Sequence, residues 1–144
     1  MRFLLDTCVI SAVAAKRPNP KVVDWIDSVD PDSIYLSVIT IGEIQKGIEK
    51  QRDLQRKEAL ECWLHDELLV RFRDRLALLD IGVLLEWGTL TGRLEAQGKT
   101  MPAVDSLIAA TALHSHFVLV TRNEHDFLRS GVQLLNPWQS GHGT

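Results

Sequence analysis

Apolar residues along the chain occur in two kinds of pattern, which predict two kinds of element. Short continuous apolar runs, bounded by polar or turn-forming residues, are typical of strands that are buried on both faces. We predict five of them, of which the third is the weakest. They are Arg2–Leu5, Ile34–Leu36, Leu76–Leu79, Phe117–Val120 and Val132–Leu135.

The stretches between these runs carry apolar residues every three or four positions, which predicts amphipathic helices. We expect helices over the ranges Cys8–Ala15, Lys21–Ser28, Leu54–Val70, Val83–Leu94 and Ala103–His114. Pro102 suits the first turn of the last one, because its missing N–H has no partner there. A further helix is expected near Thr40, since Thr40 and Glu43 match a capping box.

The alternation of short strands with helices predicts an α/β fold. Its centre would be a parallel sheet of four to five short strands, with helices on both faces and right-handed crossovers. A chain of 144 residues fits one domain, 1–144, with residues 140–144 expected to be a frayed tail. In the helix around Val83, Gly88 and Gly92 share one side, which indicates close packing of a neighbouring helix.

Four acidic residues follow the strands or open helices at the positions where open α/β sheets bind ligands, beyond the carboxyl ends of the strands. Asp6 ends the first strand, and Glu43 and Asp105 are expected in first helical turns. Asp126 is expected in the loop after Val120. Acids in first turns and loops are common for structural reasons alone. Asp6 is harder to explain in that way, because a carboxylate at the end of a buried strand loses its hydration.

We therefore expect these acids to converge at one edge of the sheet. Two carboxylates about 4 Å apart repel each other by roughly 4 kcal/mol at an effective dielectric constant near 20. Four of them would need protons or cations. Ligands that are all oxygen select hard ions such as Mg²⁺ or Mn²⁺, and such ions activate water for the cleavage of phosphate esters.

Four sequence segments resemble the motifs of PIN domains, in particular VapC- and FitB-like toxins. They stand in the order of the family's motifs and are spread over nearly the whole chain. The family usually has Asn at the position of Cys8. The segments are Leu4-Leu-Asp-Thr-Cys-Val-Ile-Ser11, Thr40-Ile-Gly-Glu-Ile-Gln-Lys-Gly47, Pro102-Ala-Val-Asp-Ser-Leu-Ile-Ala-Ala-Thr-Ala112 and Leu119-Val-Thr-Arg-Asn-Glu-His-Asp-Phe127.

The resemblance implies a PIN fold and a metal-dependent endoribonuclease that hydrolyses RNA phosphodiester bonds. It implies that the four acids form the catalytic and metal-binding site, with Asp6 and Asp105 as the direct metal ligands. Three polar residues would support this site: Thr7, Thr121 and Asn123. It also implies a homodimer and a cognate antitoxin protein that inhibits the toxin in the cytoplasm.

Charge changes this picture only slightly. The formal net charge of −3, from 16 basic and 19 acidic residues, argues weakly against a nucleic-acid partner. Setting the four clustered acids aside leaves 15 acidic residues against the 16 basic ones. Lys46, Lys50 and Arg52 have two open interpretations: they contact RNA phosphates beside the pocket, or they form a solvated helix face.

Cysteine and histidine usage and hydropathy exclude other classes. Cys8 and Cys62 form no CxxC motif, which fits reduced thiols in the cytoplasm. The five histidines have no zinc-ligand spacing. No apolar run approaches the roughly 18 residues that cross a bilayer, so no membrane association is expected.

Other enzyme classes fit the motifs less well. Haloacid dehalogenase-type phosphatases need a second Asp where Cys8 stands, and response-regulator receivers need paired acids before the first-strand Asp. A serine hydrolase would need a G-x-S-x-G elbow. The alternatives that stay open are a catalytically inactive PIN scaffold that acts as a binding module and a housekeeping PIN nuclease.

Overall fold

Five short parallel strands form one sheet in the order β3-β2-β1-β4-β5. The computed structural model describes residues 1–139 of the chain. The strands are β1 (Phe3–Leu5), β2 (Ile34–Ser37), β3 (Leu76–Ala77), β4 (Val118–Val120) and β5 (Leu134–Leu135). The predicted α/β fold with a parallel sheet is confirmed. The third and fifth strands are shorter than the predicted Leu76–Leu79 and Val132–Leu135.

Helices connect consecutive strands and close the sheet on both sides. Short 3-10 turns at Pro31–Ser33 and Leu128–Ser130 precede β2 and β5. The α-helices are α1 (Thr7–Ala14), α2 (Pro20–Ser28), α3 (Val38–Glu49), α4 (Leu54–Trp63), α5 (Leu69–Arg71), α6 (Ile81–Ala96), α7 (Ala103–Ser115) and α8 (Glu124–Phe127).

Alternate residues of each central strand enter two different cores. Leu4 and Leu119 pack with Leu90 and Ile108 of α6 and α7 on one face. Their neighbours along the strands, including Leu5, pack with residues of α1 to α4 on the other face. Because both faces are covered, the strands are continuously apolar, and this continuity made them visible in the sequence.

Strand β1 lies at the centre of the sheet and places its carboxyl end between two neighbours. Leu5 is paired with Leu36 of β2 on one side and with Val120 of β4 on the other. The residues that follow these three strands therefore start from adjacent points on one edge of the sheet.

The start of α3 differs from the prediction. Ser37, not Thr40, caps this helix, and its side chain accepts a hydrogen bond from the backbone N–H of Ile39. Thr40 is fully buried within the helix, and Glu43 lies in its second turn. The predicted capping box is therefore wrong. Sequence spacing matched the motif, but the strand ends at Ser37 and leaves no extended residue at Thr40.

The predicted helix Leu54–Val70 is not a regular α-helix. Leu64–Leu68 forms a π-helical segment between α4 and α5. Leu64 and Leu68 are buried, as their stripe predicted, whereas Leu54 and Val70 are exposed. Pro102 also lies one position earlier than expected, as the N-cap of α7 and not in its first turn.

The packing predicted at Gly88 and Gly92 is wrong. A Cβ atom at either position would have no neighbouring atom within 4 Å. The glycine in close contact is Gly82, whose Cβ position lies 2.5 Å from the His114 ring of α7. Gly82 therefore marks where α6 and α7 approach each other.

Two further predictions concern the C-terminal tail and membrane-spanning helices. The expected tail, residues 140–144, lies outside the described residues. Within residues 1–139, none of the helices has the length and apolar character needed to cross a bilayer.

Candidate active site

Asp6 occupies the centre of the carboxyl edge. It follows β1 directly and is the N-cap of α1, where one carboxylate oxygen, Oδ1, accepts a hydrogen bond of 2.9 Å from the Thr7 N–H. Its own N–H donates to the Val120 carbonyl of β4. The side chain is only 6% exposed, so these contacts replace much of its lost hydration.

The second oxygen of Asp6, Oδ2, is held by the residue that follows β4. The Thr121 hydroxyl donates to it over 2.9 Å, and the same hydroxyl accepts a hydrogen bond from the Asn123 N–H at 3.0 Å. Because a backbone donor occupies the Thr121 lone pair, its proton is directed at Asp6. The supporting role predicted for Asn123 thus involves its backbone here. Its side chain makes no cap to α8.

Cys8 stands where the family usually has Asn, and its thiol faces the same oxygen. Its Sγ lies 3.8 Å from Asp6 Oδ2 and 3.6 Å from the Thr121 hydroxyl. Burial raises the pKa of this thiol, while a hydrogen bond from the backbone of Arg122 lowers it. A neutral thiol can donate a weak hydrogen bond to Asp6, which is the part that an Asn amide could also play.

Glu43 reaches the pocket from α3. The Thr7 hydroxyl donates to its Oε1 at 2.6 Å, and the Thr40 hydroxyl lies 3.3 Å from that of Thr7. Thr7 therefore joins two acids: its N–H contacts Asp6 and its hydroxyl contacts Glu43. Thr40 is the polar group that the sequence did not reveal as part of the site, because its spacing to Glu43 matched a cap.

Asp105 and Asp126 approach from the other side of the sheet. Asp105 lies in the first turn of α7, as predicted, and is partly buried. Asp126 is exposed and lies in the short helix α8, where the sequence predicted a loop. The fold thus brings together acids from α1, α3, α7 and α8.

Electrostatics show that the four carboxylates share one region. Burial raises the pKa of Asp105 above its ordinary value, and the charges of Asp6, Asp126 and Glu43 raise it further. The pKa of Asp6 is also raised, chiefly by burial, with hydrogen bonds from Thr121 and Thr7 opposing and the charge of Glu43 adding to the increase. These charge interactions are those expected if the four acids lie near one another, as the sequence predicts.

Carboxylate oxygens are suitable ligands for a hard divalent cation. To bind one together, the four carboxylates would have to lie closer to one another than they do in this structure. All four acids offer carboxylate oxygens, and a cation among them would relieve the repulsion that raises the pKa of Asp105. Within residues 1–139, no three acidic, histidine or cysteine side chains are close enough to form a ready metal site.

The predicted basic residues divide into two groups. Lys46 and Lys50 line an open groove with Glu43 and Val104, on the outer face of α3. Arg52 is exposed in the turn after α3 and does not line that groove. The groove on the other side of Glu43 contains Arg56 instead.

Comparison with known proteins identifies the family of this chain. The family model described as the PIN domain matches residues 3–131. The chain belongs to the PIN domain family. The matched region of this PIN domain contains all four acids and the supporting residues Thr7, Thr121 and Asn123.

Curated relatives cover nearly the whole chain. The plasmid stability protein StbB of Pseudomonas syringae pv. tomato is 34% identical, over 96% of this chain and 99% of its own. The toxin FitB of Neisseria gonorrhoeae is 33% identical, over 94% and 98%. The VapC ribonuclease Y4jK of Sinorhizobium fredii is 30% identical, over 95% and 98%.

A solved structure shares the same backbone arrangement. The structure of FitAB bound to the IR36 DNA fragment contains a chain that superposes with a TM-score of 0.90 at 32% identity, covering 99% of both chains. The strand order and the helices on both sheet faces are thus those of a solved PIN-domain protein.

Proposed function

We propose that this PIN domain is a metal-dependent endoribonuclease and the toxin of a VapBC-like toxin–antitoxin system. The observation that carries the proposal is that Thr7 hydrogen-bonds to both Asp6 and Glu43. The effect of the Asp6, Asp126 and Glu43 charges on the pKa of Asp105 supports a shared acidic site. The names of the relatives, a toxin and a VapC ribonuclease, support the same activity.

The cofactor in this proposal is Mg²⁺ or Mn²⁺, with Asp6 and Asp105 as direct ligands and Glu43 and Asp126 completing the site. When bound, such an ion lowers the pKa of a water molecule and stabilises charge on the phosphate. Asp6 suits a direct ligand because Thr7 and Thr121 already fix its orientation. Ligands held by outer hydrogen bonds bind metals more tightly.

The other residues of the pocket would position the reacting groups. Glu43, held by the Thr7 hydroxyl, can accept a proton from the attacking water. Asp126 is exposed, so its side chain is free to bind the metal ion or to orient the attacking water. Lys46 and Lys50, in the groove beside Glu43, are candidates for contacts with RNA phosphates.

A partner that blocks the site is part of this proposal. An apolar groove between α1 and α4 is lined by Ile10, Leu60 and Trp63, and it continues to Thr7 and Glu43. A cognate antitoxin could place an apolar segment there and insert an Arg or Lys among the acids, since guanidinium groups pair well with carboxylates. The FitAB complex is a precedent in a relative's structure.

Oligomeric state and compartment complete the proposal. We expect a homodimer, for which the exposed apolar side chains Leu78, Ile81 and Leu85 offer contact area. The free thiols of Cys8 and Cys62 suit the reducing cytoplasm, where RNA and a coexpressed antitoxin are found.

Cleavage of RNA by the purified chain tests the proposal. Labelled total RNA should be cut internally when Mg²⁺ or Mn²⁺ is added and left intact in EDTA. The Asp105→Asn variant should be inactive with either ion. Cleavage that continues in EDTA would contradict the metal dependence. No cleavage under any condition would favour an inactive scaffold, and cleavage without growth arrest on expression would favour a housekeeping nuclease.

A further inference from the structure

Arg122 and Trp138 form a stacked pair beside the acidic pocket. The Arg122 guanidinium carbon lies 5.1 Å from the centre of the Trp138 ring. Arg122 is exposed, and Trp138 is partly buried against the core. A guanidinium over an indole face is favourable and loses little mobility when its donors then bind a ligand.

The chain connects this pair directly to the site. Arg122 follows Thr121, whose hydroxyl holds Asp6, and precedes Asn123, whose N–H holds Thr121. The backbone of Arg122 also hydrogen-bonds to Cys8, which contacts Asp6. Arg122 thus lies in the chain between the two residues that hold Asp6 Oδ2 in place.

The position of Trp138 is fixed by hydrogen bonds from a neighbouring element. The backbone N–H of Trp138 donates to the side-chain oxygen of Asn136 at 2.9 Å. The side-chain amide of Asn136 in turn donates to Glu124 Oε2 at 3.3 Å. Glu124 belongs to α8, the helix that carries Asp126. The segment after β5 and the rim of the site are therefore one connected structure.

Arg122 forms no ion pair with a carboxylate of the part of the chain that the structure describes. An unpaired guanidinium beside an acidic pocket can bind a second negative group of a ligand whose first negative group lies in the pocket.

We propose that Arg122, oriented by Trp138, binds a backbone phosphate of single-stranded RNA next to the bond that is cleaved. A phosphate of the strand accepts the planar donors of Arg122, while the neighbouring phosphodiester lies among the acids. This inference rests on the proposed ribonuclease function and names one of its substrate contacts. Arg122 is a binding residue, and Trp138 is a positioning residue that acts through it.

Equilibrium binding without cleavage tests this contact. Fluorescence anisotropy with a labelled single-stranded RNA of mixed sequence, in EDTA at several salt concentrations, gives Kd and its salt dependence. Arg122→Gln should weaken binding about tenfold, the loss of one charged hydrogen bond. It should also reduce the slope of log K against log salt by about 0.7, the value for one phosphate contact on a single strand.

The matched control is Arg73→Gln. Arg73 is exposed and precedes β3, so it lies at the opposite edge of the sheet and makes the same charge change away from the site. The proposal predicts wild-type Kd and salt slope for this control. Equal losses in the two variants, or no loss in Arg122→Gln, would overturn it.

A double-mutant cycle tests the role of Trp138. Trp138→Leu should weaken binding about two- to fivefold in the wild-type background, and Trp138→Phe should retain most of the affinity. In the Arg122→Gln background, Trp138→Leu should have no further effect on Kd. Independent, additive losses would overturn the positioning role, and melting curves show whether each variant is folded.

The outcomes separate this contact from the ribonuclease proposal. Wild-type protein that binds RNA with the predicted Arg122 dependence and does not cleave it with Mg²⁺ or Mn²⁺ would remove the catalytic function and leave the contact intact. Protein that cleaves RNA with unchanged KM and kcat in Arg122→Gln would remove the contact and leave the function intact.

Discussion

Asp6 shows how a buried carboxylate can be retained at the end of a strand. Its two oxygens are each held by a Thr donor, Thr7 on one side and Thr121 on the other. These contacts lower its pKa, but burial and the charge of Glu43 raise it more, so the net direction is upward. The hydrogen bonds thus fix the orientation of Asp6 although burial disfavours its charged form.

Neutralising one acid at this site should abolish activity and leave the fold intact. We expect no detectable RNA cleavage by Asp6→Asn or Asp105→Asn, because each removes a proposed direct ligand. Both should retain the circular dichroism of the wild type. Asn at position 6 can accept the same cap hydrogen bond from the Thr7 N–H, and Asn at position 105 removes a partly buried charge. Full activity in both variants would exclude the acidic site as the catalytic centre.

Removing the Thr121 hydroxyl tests how far orientation matters. Thr121→Val preserves shape and deletes the donor to Asp6. Loss of such outer hydrogen bonds commonly costs about ten- to a hundredfold in metal affinity or activity. We expect this loss in the cleavage rate at low Mg²⁺, partly restored at high Mg²⁺ and restored in Thr121→Ser. A rate unchanged at every Mg²⁺ concentration would show that Asp6 needs no such support.

The raised pKa values of Asp6 and Asp105 make stability depend on pH. Between the ordinary Asp value of 3.8 and the raised folded values, the native state holds more protons than the unfolded state. The stability contributed by the protonated forms is therefore fully present below that ordinary value and lost as pH rises through the folded values. As the pH rises through this range, the free energy of unfolding of Asp105→Asn should fall less than that of the wild type.

Urea unfolding in EDTA, from mildly acidic to neutral pH, measures that difference. Mg²⁺ at neutral pH should reverse the wild-type loss, by about 2.7 kcal/mol at a hundredfold excess over Kd. Parallel pH profiles for the wild type and Asp105→Asn would show that the acids do not repel each other enough to matter.

At the scale of elements, the sequence predicted the strands and helices that have a regular apolar pattern. It did not predict features that depend on contacts with other elements. The strands and the α7 helix were visible because Leu4, Leu119 and the Ala-rich run in α7 are buried on all sides. The start of α3 was not visible, because both Ser37 and Thr40 can cap a helix and only the length of β2 decides between them. The π-helical segment Leu64–Leu68 retains the apolar spacing of an α-helix, so no pattern distinguishes it.

The site was predictable to the extent that it follows topology. Asp6 follows a strand, Asp105 lies in the first turn of α7, and Glu43 lies in the second turn of the helix that follows β2. The Thr40 contact with Thr7 depends on how α3 packs against α1, which the local sequence does not determine. The same holds for Gly82, whose neighbour His114 is distant in the chain.

Helix α6 offers a stability test of its glycines. Gly88→Ala should raise the free energy of unfolding by about 0.5–1 kcal/mol, because nothing occupies the space of the new Cβ and the unfolded chain loses freedom. Gly131→Ala is the contrasting variant. Its φ of +77° disfavours a side chain, so unfolding should become easier. Chemical denaturation of both variants decides, and destabilisation by Gly88→Ala would indicate a packing role after all.

At the scale of the whole molecule, the acidic pocket and the apolar groove beside it form one continuous surface. The groove that contains Ser11 and Trp63 also contains Thr7 and Glu43. A partner that fills the groove would therefore contact Thr7 and Glu43. This continuity explains how a small protein could both bind the chain and inhibit it.

Coexpression with the product of the neighbouring small open reading frame tests this surface. The product should copurify with the chain and restore growth. Ser11→Arg places a bulky cation in the groove and should weaken the complex. Ala59→Arg, on the exposed side of α4, should not. Replacing the partner's inserted basic residue should weaken inhibition more than binding. If no neighbouring product binds, and the chain is harmless when expressed alone, the toxin proposal fails.

In the proposed function, the carboxylate of Asp6, which caps α1, and three carboxylates from α3, α7 and α8 act as one divalent-cation site. Electron paramagnetic resonance of free Mn²⁺ measures binding to the purified chain directly, without RNA. We expect saturable Mn²⁺ binding by the wild type and by Glu58→Gln, an exposed acid on α4 away from the pocket. Asp6→Asn and Asp105→Asn should lose this binding. Wild-type protein that leaves Mn²⁺ free, or Asp variants that bind it equally well, would show that these carboxylates do not act as one cation site.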